Sequence, residues 1–514
     1  MIENNPNMSN SRRIAKNTLL LYCRMLLLMV ISLYTSRIIL NALGVEDYGI
    51  YNIVGGVVSM FSILSGSLSA AISRYITFEL GKGNINRLKR IFCTAVNIQL
   101  VLIIIITFLL ETIGLWFLNH KVVIPIERLF AANWVFQFSI ITFAVNLWSV
   151  PYNATIIAHE RMSAFAYISI FDAAAKLFIA FIILKNPVDR LIYYGFLVLV
   201  VGLIQRYLYT SYCKKHFNEC KYEMHFDKKT TKEMFGFAGW NFIGASSVVL
   251  RDQGGNILVN MFFGPTINAA RGIAMSVNAA VYGFVSNFMV ALNPQITKSY
   301  ASGDFNYMFK LVFQGARFSY YILLVLALPV IFTAPYLLHL WLGVVPEHAA
   351  NFSRLVLLFT MSESLASPLI TVMLATGNIK NYQLIVGGLQ LLNLPLSYFG
   401  LKLGFPPETI FVIAIAVSIL CELARLIMLR SMVGLPFRAF LKNVYLNVII
   451  VTLLAAIVPF IVQMNLINDD FVSFIVLCIC SAFSAGLVIY FIGCSKQEQG
   501  LINSYVVKFF NKLK

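Results

Sequence analysis

The residues of this sequence that could do chemistry are charged side chains embedded in long apolar runs. Arg251 opens the stretch RDQGGN inside one such run, and Asp252 follows it directly. Asp172 and Lys176 stand four apart in a second run, and Glu363 lies deep in a third. An ionisable group at mid-bilayer depth costs about 2.5–3.5 kcal/mol on insertion scales, so such groups point to a substrate or ion pathway. Arginine suits anions because its planar guanidinium donates two parallel hydrogen bonds. Arg251, Lys176, Arg24, Arg37 and Arg271 are therefore candidate ligands for an anionic substrate. Asp172, Asp252 and Glu363 are candidate proton or sodium sites.

Several of these charges also have plainer readings. Asp172 and Lys176, acid first and four apart, have the spacing of a helical ion pair. Arg24, Arg206, Arg354 and Arg425 fall close enough to span ends to snorkel to the interface. Glu422 and Arg425, three apart, could neutralise each other. Arg251 is harder to explain away. Neighbours on a helix point about 100° apart, so the sequence predicts incomplete neutralisation by Asp252. Gly254 and Gly255 predict a weakened helix there, and interrupted helices at membrane depth are tolerated where they line a cavity.

Positioning these groups falls to the apolar runs. The chain has 514 residues, 59% hydrophobic and 12% charged, with a mean hydropathy of +0.79. Soluble domains carry about 25% charged residues, so the composition predicts an all-α polytopic membrane protein. Runs near the length a bilayer requires number about fourteen. They fall near 17–42, 48–72, 91–118, 131–157, 164–184, 190–212, 236–262, 267–292, 313–342, 351–375, 381–401, 409–430, 444–466 and 471–494. The first is too long for a cleaved signal peptide and lacks an Ala-x-Ala site.

The basic stretch after the sixth run separates two blocks. The expected organisation is a tail at 1–16, an N-lobe at 17–212, a basic linker at 213–235, a C-lobe at 236–430, and two further helices with a basic tail at 431–514. Lysine and arginine concentrate on alternate loops, which places both termini in the cytoplasm by the positive-inside rule. The formal charge of +17 is accounted for in this way, without nucleic acid. The eight cysteines are scattered with no CxxC pair and the six histidines are dispersed, so no disulfide framework or metal centre is expected.

One polar phrase occurs twice. SRYITFELGKGNIN begins at Ser73 and NPQITKSYASGDFN at Asn293; Ile76-Thr77 and Gly83 recur as Ile296-Thr297 and Gly303, 220 positions on. At the same offset, ILNALG ends at Gly44 and LVNMFFG at Gly264. Six spans separate the copies, so both halves enter the membrane in the same orientation. The sequence thus predicts two six-helix lobes related by a parallel repeat, flanking a cavity with alternating access.

The segments SRIILNALGVEDYGIYNIVGG and SRYITFELGKGN, with FFGPTINAARGIAMSVN and NPQITKSYASGD, resemble bacterial polysaccharide flippases of the multidrug/oligosaccharidyl-lipid/polysaccharide exporter superfamily. That resemblance spans essentially the whole chain. It implies a flippase in the bacterial inner membrane that moves undecaprenyl-diphosphate-linked oligosaccharide for O-antigen, capsule or exopolysaccharide assembly. It further implies a cationic lumen, a proton or sodium gradient rather than a cofactor, and other polysaccharide-assembly membrane proteins as partners. The sequence has no GxxxxGK[ST] phosphate loop. The alternatives are an ion-coupled multidrug exporter of the same superfamily, favoured by Asp172, Asp252 and Glu363, and a lipid-linked glycan polymerase or ligase. The enzyme reading is disfavoured by short outer loops, where Glu46-Asp47 is the one acidic pair to serve it.

Overall fold

The computed structural model describes residues 6–59, 62–120, 124–184, 189–223, 227–342, 345–465, 470–500 and 503. Among them the chain is helical, with no strands. In chain order the helices are α1 (Pro6–Ser59), α2 (Ser62–Lys82), α3 (Ile85–Leu109), α4 (Leu115–His120), α5 (Leu129–Ala158), α6 (Met162–Leu184), α7 (Arg190–His216) and α8 (Lys228–Ala301). They continue as α9 (Phe305–Leu342), α10 (Ala349–Thr376), α11 (Lys380–Leu391), α12 (Asn393–Lys402), α13 (Thr409–Val433), α14 (Phe437–Phe440), α15 (Asn447–Asn465) and α16 (Phe471–Val488). Twelve segments among the described residues are long and apolar enough to cross a membrane. Two expected runs are not in that set. Run 48–72 straddles residues 60–61, outside the described residues, and run 236–262 carries the polar RDQGGN stretch. The chain is a multi-pass membrane protein with an all-helical fold.

Two of the longest helices are each two helices joined at a glycine. In α1 the break is at Gly44 (φ 82°, ψ 169°), and in α8 at Gly264 (φ 80°, ψ −175°). This backbone region is essentially closed to any residue with a Cβ. Nothing lies within 4 Å of a Cβ built at either position, so backbone conformation, not lack of room, requires glycine there. The second pair repeats the pattern. Gly83 (φ 72°) and Gly303 (φ 78°) are left-handed and end α2 and α8. Their amides donate to Leu80 O and Tyr300 O, each at 3.2 Å. The doubled phrase therefore encodes a doubled backbone pattern: a hinge, a helix and a glycine cap.

The chain divides into two compact units, Met1–Ala245 with Val290–Asp304, and Ser246–Met289 with Phe305–Lys514. The first is built on Phe136, Ile106 and Leu110, together with a second cluster around Ile39, Ile179 and Ala180. The second unit centres on Phe352, Val356, Phe411 and Ala274. In it α15 and α16 pack on each other and on α9. Large apolar side chains such as Ile104, Ile427 and Leu453 remain more than 60% exposed, as expected of surfaces solvated by lipid.

Asp47, expected in an outer loop, lies in α1 just past the Gly44 hinge and is tied down. Arg128 donates to Asp47 Oδ1 at 2.7 Å and to Asp189 Oδ2 at 2.7 Å. Burial raises the Asp189 pKa, but hydrogen bonds from Arg128 and from the Ile192 and Leu191 amides outweigh that and hold it below the usual carboxylate value. Glu46 lies outside the residues whose side chains are described. A direct test of the hinge is Gly264→Ala, which should lower stability by about 1–2 kcal/mol, read as a lower thermal midpoint of the purified protein. Gly272→Ala, at a position with open space and ordinary helical φ, should instead leave the midpoint unlowered or raise it slightly.

Candidate functional site

The Gly264 hinge turns α8 back on itself, so that Arg251 before it and Arg271 after it line one cavity of about 260 Å³. Helix α10 contributes Phe359, Thr360 and Glu363, α12 contributes Asn393, and α13 contributes Phe411. All of these belong to the second unit.

Arg251 is the hub. Its Nε donates to Asp252 Oδ1 at 2.9 Å, and its Nη1 stands 3.7 Å from Glu363 Oε1. Its guanidinium lies over the Phe359 ring, 4.9 Å from the centroid. Ser418 donates to the same Glu363 oxygen at 3.4 Å. Both carboxylates thus sit against one guanidinium within an apolar wall, where a charge pair is screened far less than at a surface. The long arginine side chain curls back to its neighbour, so Asp252 pairs with Arg251 despite their angular separation on the helix. This corrects the expectation of incomplete neutralisation.

The glycines also act differently from expectation. Backbone helix continues through 251–256 without a break. A Cβ at Gly254 would stand 2.2 Å from Leu394 Cδ2, and one at Gly255 would stand 2.8 Å from Arg271 Nη2. Their role is close approach: Gly254 admits α12 and Gly255 admits the Arg271 guanidinium. Arg271 is 4% exposed. It donates to Asn256 Oδ1 and lies 5.8 Å from the Phe411 ring centroid. Its Nε has no hydrogen-bond partner among the described residues. Thr360 Oγ1 donates to Asn278 Oδ1 at 2.6 Å across the same cavity.

Of the eight candidates, four converge here: Arg251, Arg271, Asp252 and Glu363. Asp172 and Lys176 belong to the first unit and form an i,i+4 pair at 2.8 Å. Arg24, also in the first unit, packs its guanidinium over Phe165 at 4.4 Å. The Arg37 side chain lies outside the described residues. Glu422 and Arg425 are both buried, 2% exposed each, and near enough to attract each other without a salt-bridge contact.

Sequence reasoning missed a second polar centre. Glu160, in the short turn between α5 and α6, has a left-handed backbone (φ 58°) and a side chain 2% exposed. Its carboxylate accepts from Arg13 Nε at 2.9 Å, Lys298 Nζ at 2.7 Å and Gln295 Nε2 at 2.5 Å. Asn17 Nδ2 donates to its carbonyl at 3.4 Å. One carboxylate thereby joins the start of α1, the α5–α6 turn and the end of α8, all within the first unit. No local pattern in the sequence signals it, because its partners stand more than a hundred positions away.

Residues 249–399 match the MatE family. That match covers under a third of the chain. Solved structures agree on the fold. An outward-facing multidrug resistance MATE family transporter of the MOP superfamily superposes with a TM-score of 0.71 at 11% identity, over 84% of this chain and 96% of that one. A MATE in the bent conformation gives 0.72 at 11% identity, over 82% and 96%. A MOP superfamily transporter from Pyrococcus furiosus, whose binding pocket is described as of reverse polarity and as suggesting a different function, gives 0.70 at 11%, over 84% and 96%. No curated protein matches the chain by sequence. The MatE assignment is one of transporters, not enzymes.

These matches correct the flippase reading: the family and the superposed structures point to multidrug transporters, not to carriers of lipid-linked oligosaccharide. The physical reason is twofold. The phrases that carried the resemblance mostly encode hinges and caps of the fold; FFGPTINAARGIAMSVN alone among them reaches the cavity, through Arg271, Met275 and Asn278. The expected cationic excess is also largely cancelled, Arg251 by Asp252 and Glu363, and Lys176 by Asp172.

For the Glu160 centre, Glu160→Ala should lower stability by about 2 kcal/mol, because it leaves the Lys298 ammonium and the buried Gln295 amide without their acceptor. Glu160→Gly should fall about 1 kcal/mol less far, since it relieves the left-handed backbone. Equal thermal midpoints for the two variants would show that the backbone carries no strain.

Proposed function

We propose that the protein is an ion-coupled exporter of small amphipathic organic molecules, an antiporter of the multidrug type, in the inner membrane with both termini cytoplasmic. The observation that carries this reading is the sharing of Arg251 between Asp252 and Glu363 in the α8–α10 cavity. The MatE match and the fold of multidrug MATE transporters support it.

The chemistry follows from competition. In this state the Arg251 guanidinium satisfies both carboxylates. A proton or sodium ion arriving at Glu363 weakens the 3.7 Å contact and releases the guanidinium. A lipophilic organic cation arriving at the same carboxylate does likewise, with Phe359, Phe411 and Val356 offering an apolar wall for its hydrocarbon. Coupling ion and substrate therefore contend for one carboxylate, and mutually exclusive binding to two alternating states is the thermodynamic requirement of antiport. Arg271, which donates to the neutral Asn256, leaves one positive charge on the wall. That charge disfavours small hydrophilic cations and selects substrates large enough to keep their charge away from it.

The test is transport of a fluorescent lipophilic cation into inverted membrane vesicles energised by a proton or a sodium gradient. Wild type should accumulate the dye with one of the gradients. Glu363→Gln should reduce gradient-driven uptake at least tenfold, and Asp252→Asn should reduce it less, since Asp252 keeps only the neighbouring arginine. Undiminished uptake in Glu363→Gln would remove the carboxylate from the coupling step.

A further inference from the structure

A second, more open cavity of about 600 Å³ lies in the same unit between the start of α9, the π-helical turn Leu441–Leu446 that leads into α15, and the segment after α16. Lys310, Arg317 and Lys442 line it, against one carboxylate, Glu498. That carboxylate is already engaged. It accepts from Arg317 Nη2 at 2.7 Å, from Gln314 Nε2 at 2.9 Å and from the Ser495 amide at 2.7 Å. Arg317 also donates to Gly493 O at 3.0 Å, while its Nε is buried without a hydrogen-bond partner among the described residues. Lys310 makes one long contact, to Gln497 at 3.4 Å, and Lys442 is exposed with no ion pair among the described residues. The cavity is thus left with two uncompensated ammonium groups.

The walls on either side of those ammonium groups are of different character. Leu446 and Ile450, on the α15 side, line the cavity and are 51% and 39% exposed. They stand on a segment long and apolar enough to span the membrane, so their exposed surfaces face lipid. Asn443 and Gln497 supply hydrogen-bonding groups at the level of the lysines. Two π-helical turns, Leu441–Leu446 and Ile489–Gly493, shape the site. The second turns Gly493 O toward Arg317 and Tyr321, an arrangement that a side chain at 493 would disrupt, since its Cβ would stand 2.9 Å from the Tyr321 ring. π-helical turns are uncommon and recur at functional sites.

Cations in a hydrogen-bonding recess, open sideways onto an apolar lipid-facing wall, match one ligand chemistry: a phosphodiester attached to acyl chains. We propose that this recess is a binding site for the headgroup of an acidic phospholipid. The phosphate lies between Lys310 and Lys442 with the Asn443 amide, and the acyl chains run along Leu446 and Ile450. The basic residues mark this end of α9 and α15 as the inward face, where acidic lipid attracts such groups. The inference stands apart from the transport reading, because none of these residues lines the α8–α10 cavity.

The experiment is native mass spectrometry of the full-length protein titrated with phosphatidylglycerol or with phosphatidylcholine of the same acyl chains. Phosphatidylglycerol should be retained preferentially, and Lys310→Gln/Lys442→Gln should weaken its retention about thirtyfold, from about one ammonium–lipid attraction lost per lysine. Lys310→Arg/Lys442→Arg, which keeps the charge, should bind as wild type. Should the glutamine double variant not remain monodisperse, Lys442→Gln alone, on the exposed rim, should lose about fivefold. Inorganic phosphate should not compete. Equal retention of the two lipids, unchanged binding in the glutamine variants, or displacement by inorganic phosphate alone would each overturn the assignment.

Discussion

A guanidinium held between two carboxylates inside an apolar helical wall is the interaction on which the rest of this cavity depends. Each of these charges alone would be unaffordable at that depth, and together they are tolerated because Arg251 faces Asp252 at 2.9 Å and Glu363 at 3.7 Å. The arrangement is asymmetric. Asp252 is fixed to its neighbour, whereas Glu363 sits at the longer distance, with the Ser418 hydroxyl hydrogen-bonded to it and the buried Arg425 of α13 acting on it electrostatically. That looser contact is the one a cation can enter without dismantling the whole cluster.

Glycine makes the cluster sterically possible. Gly264 supplies the backbone turn that returns α8 to the cavity, and Gly254 and Gly255 make space for Leu394 and Arg271. The first acts through φ and ψ, the other two through absent side chains. Glycines with the same look in the sequence thus do two distinct jobs, and only coordinates separate them. Elsewhere the same economy recurs: Glu160 replaces glycine in a left-handed turn and holds that conformation with Arg13, Lys298 and Gln295.

Much of the fold was legible in the sequence because it rests on run length and on periodic glycine. The apolar runs mark the helices, and the 220-residue offset locates Gly44, Gly83, Gly264 and Gly303, whose backbone conformations match in pairs. Charge within the spans singled out Arg251, Asp252 and Glu363 at mid-span and Arg271 nearer an end, and these four do share a cavity. What charge counting does not resolve is pairing. It reads an excess of basic residues as a cationic lumen, whereas Arg251 and Lys176 are largely spoken for by acids, and that step led to the wrong substrate. Glu160 and the Arg128–Asp47–Asp189 triad were invisible for a related reason. Their contacts join segments far apart in the chain, and neither local spacing nor composition records such closure.

The central claim is that coupling ion and substrate contend for Glu363. The most direct measurement is the affinity of the purified protein for tetraphenylphosphonium as a function of pH and of sodium concentration, with calorimetry in buffers of different ionisation enthalpy to count protons released. The account predicts that affinity weakens as pH falls or as sodium rises, with release of the coupling ion on binding, and that Glu363→Gln abolishes this dependence. An affinity in wild type that is independent of both pH and sodium would contradict it.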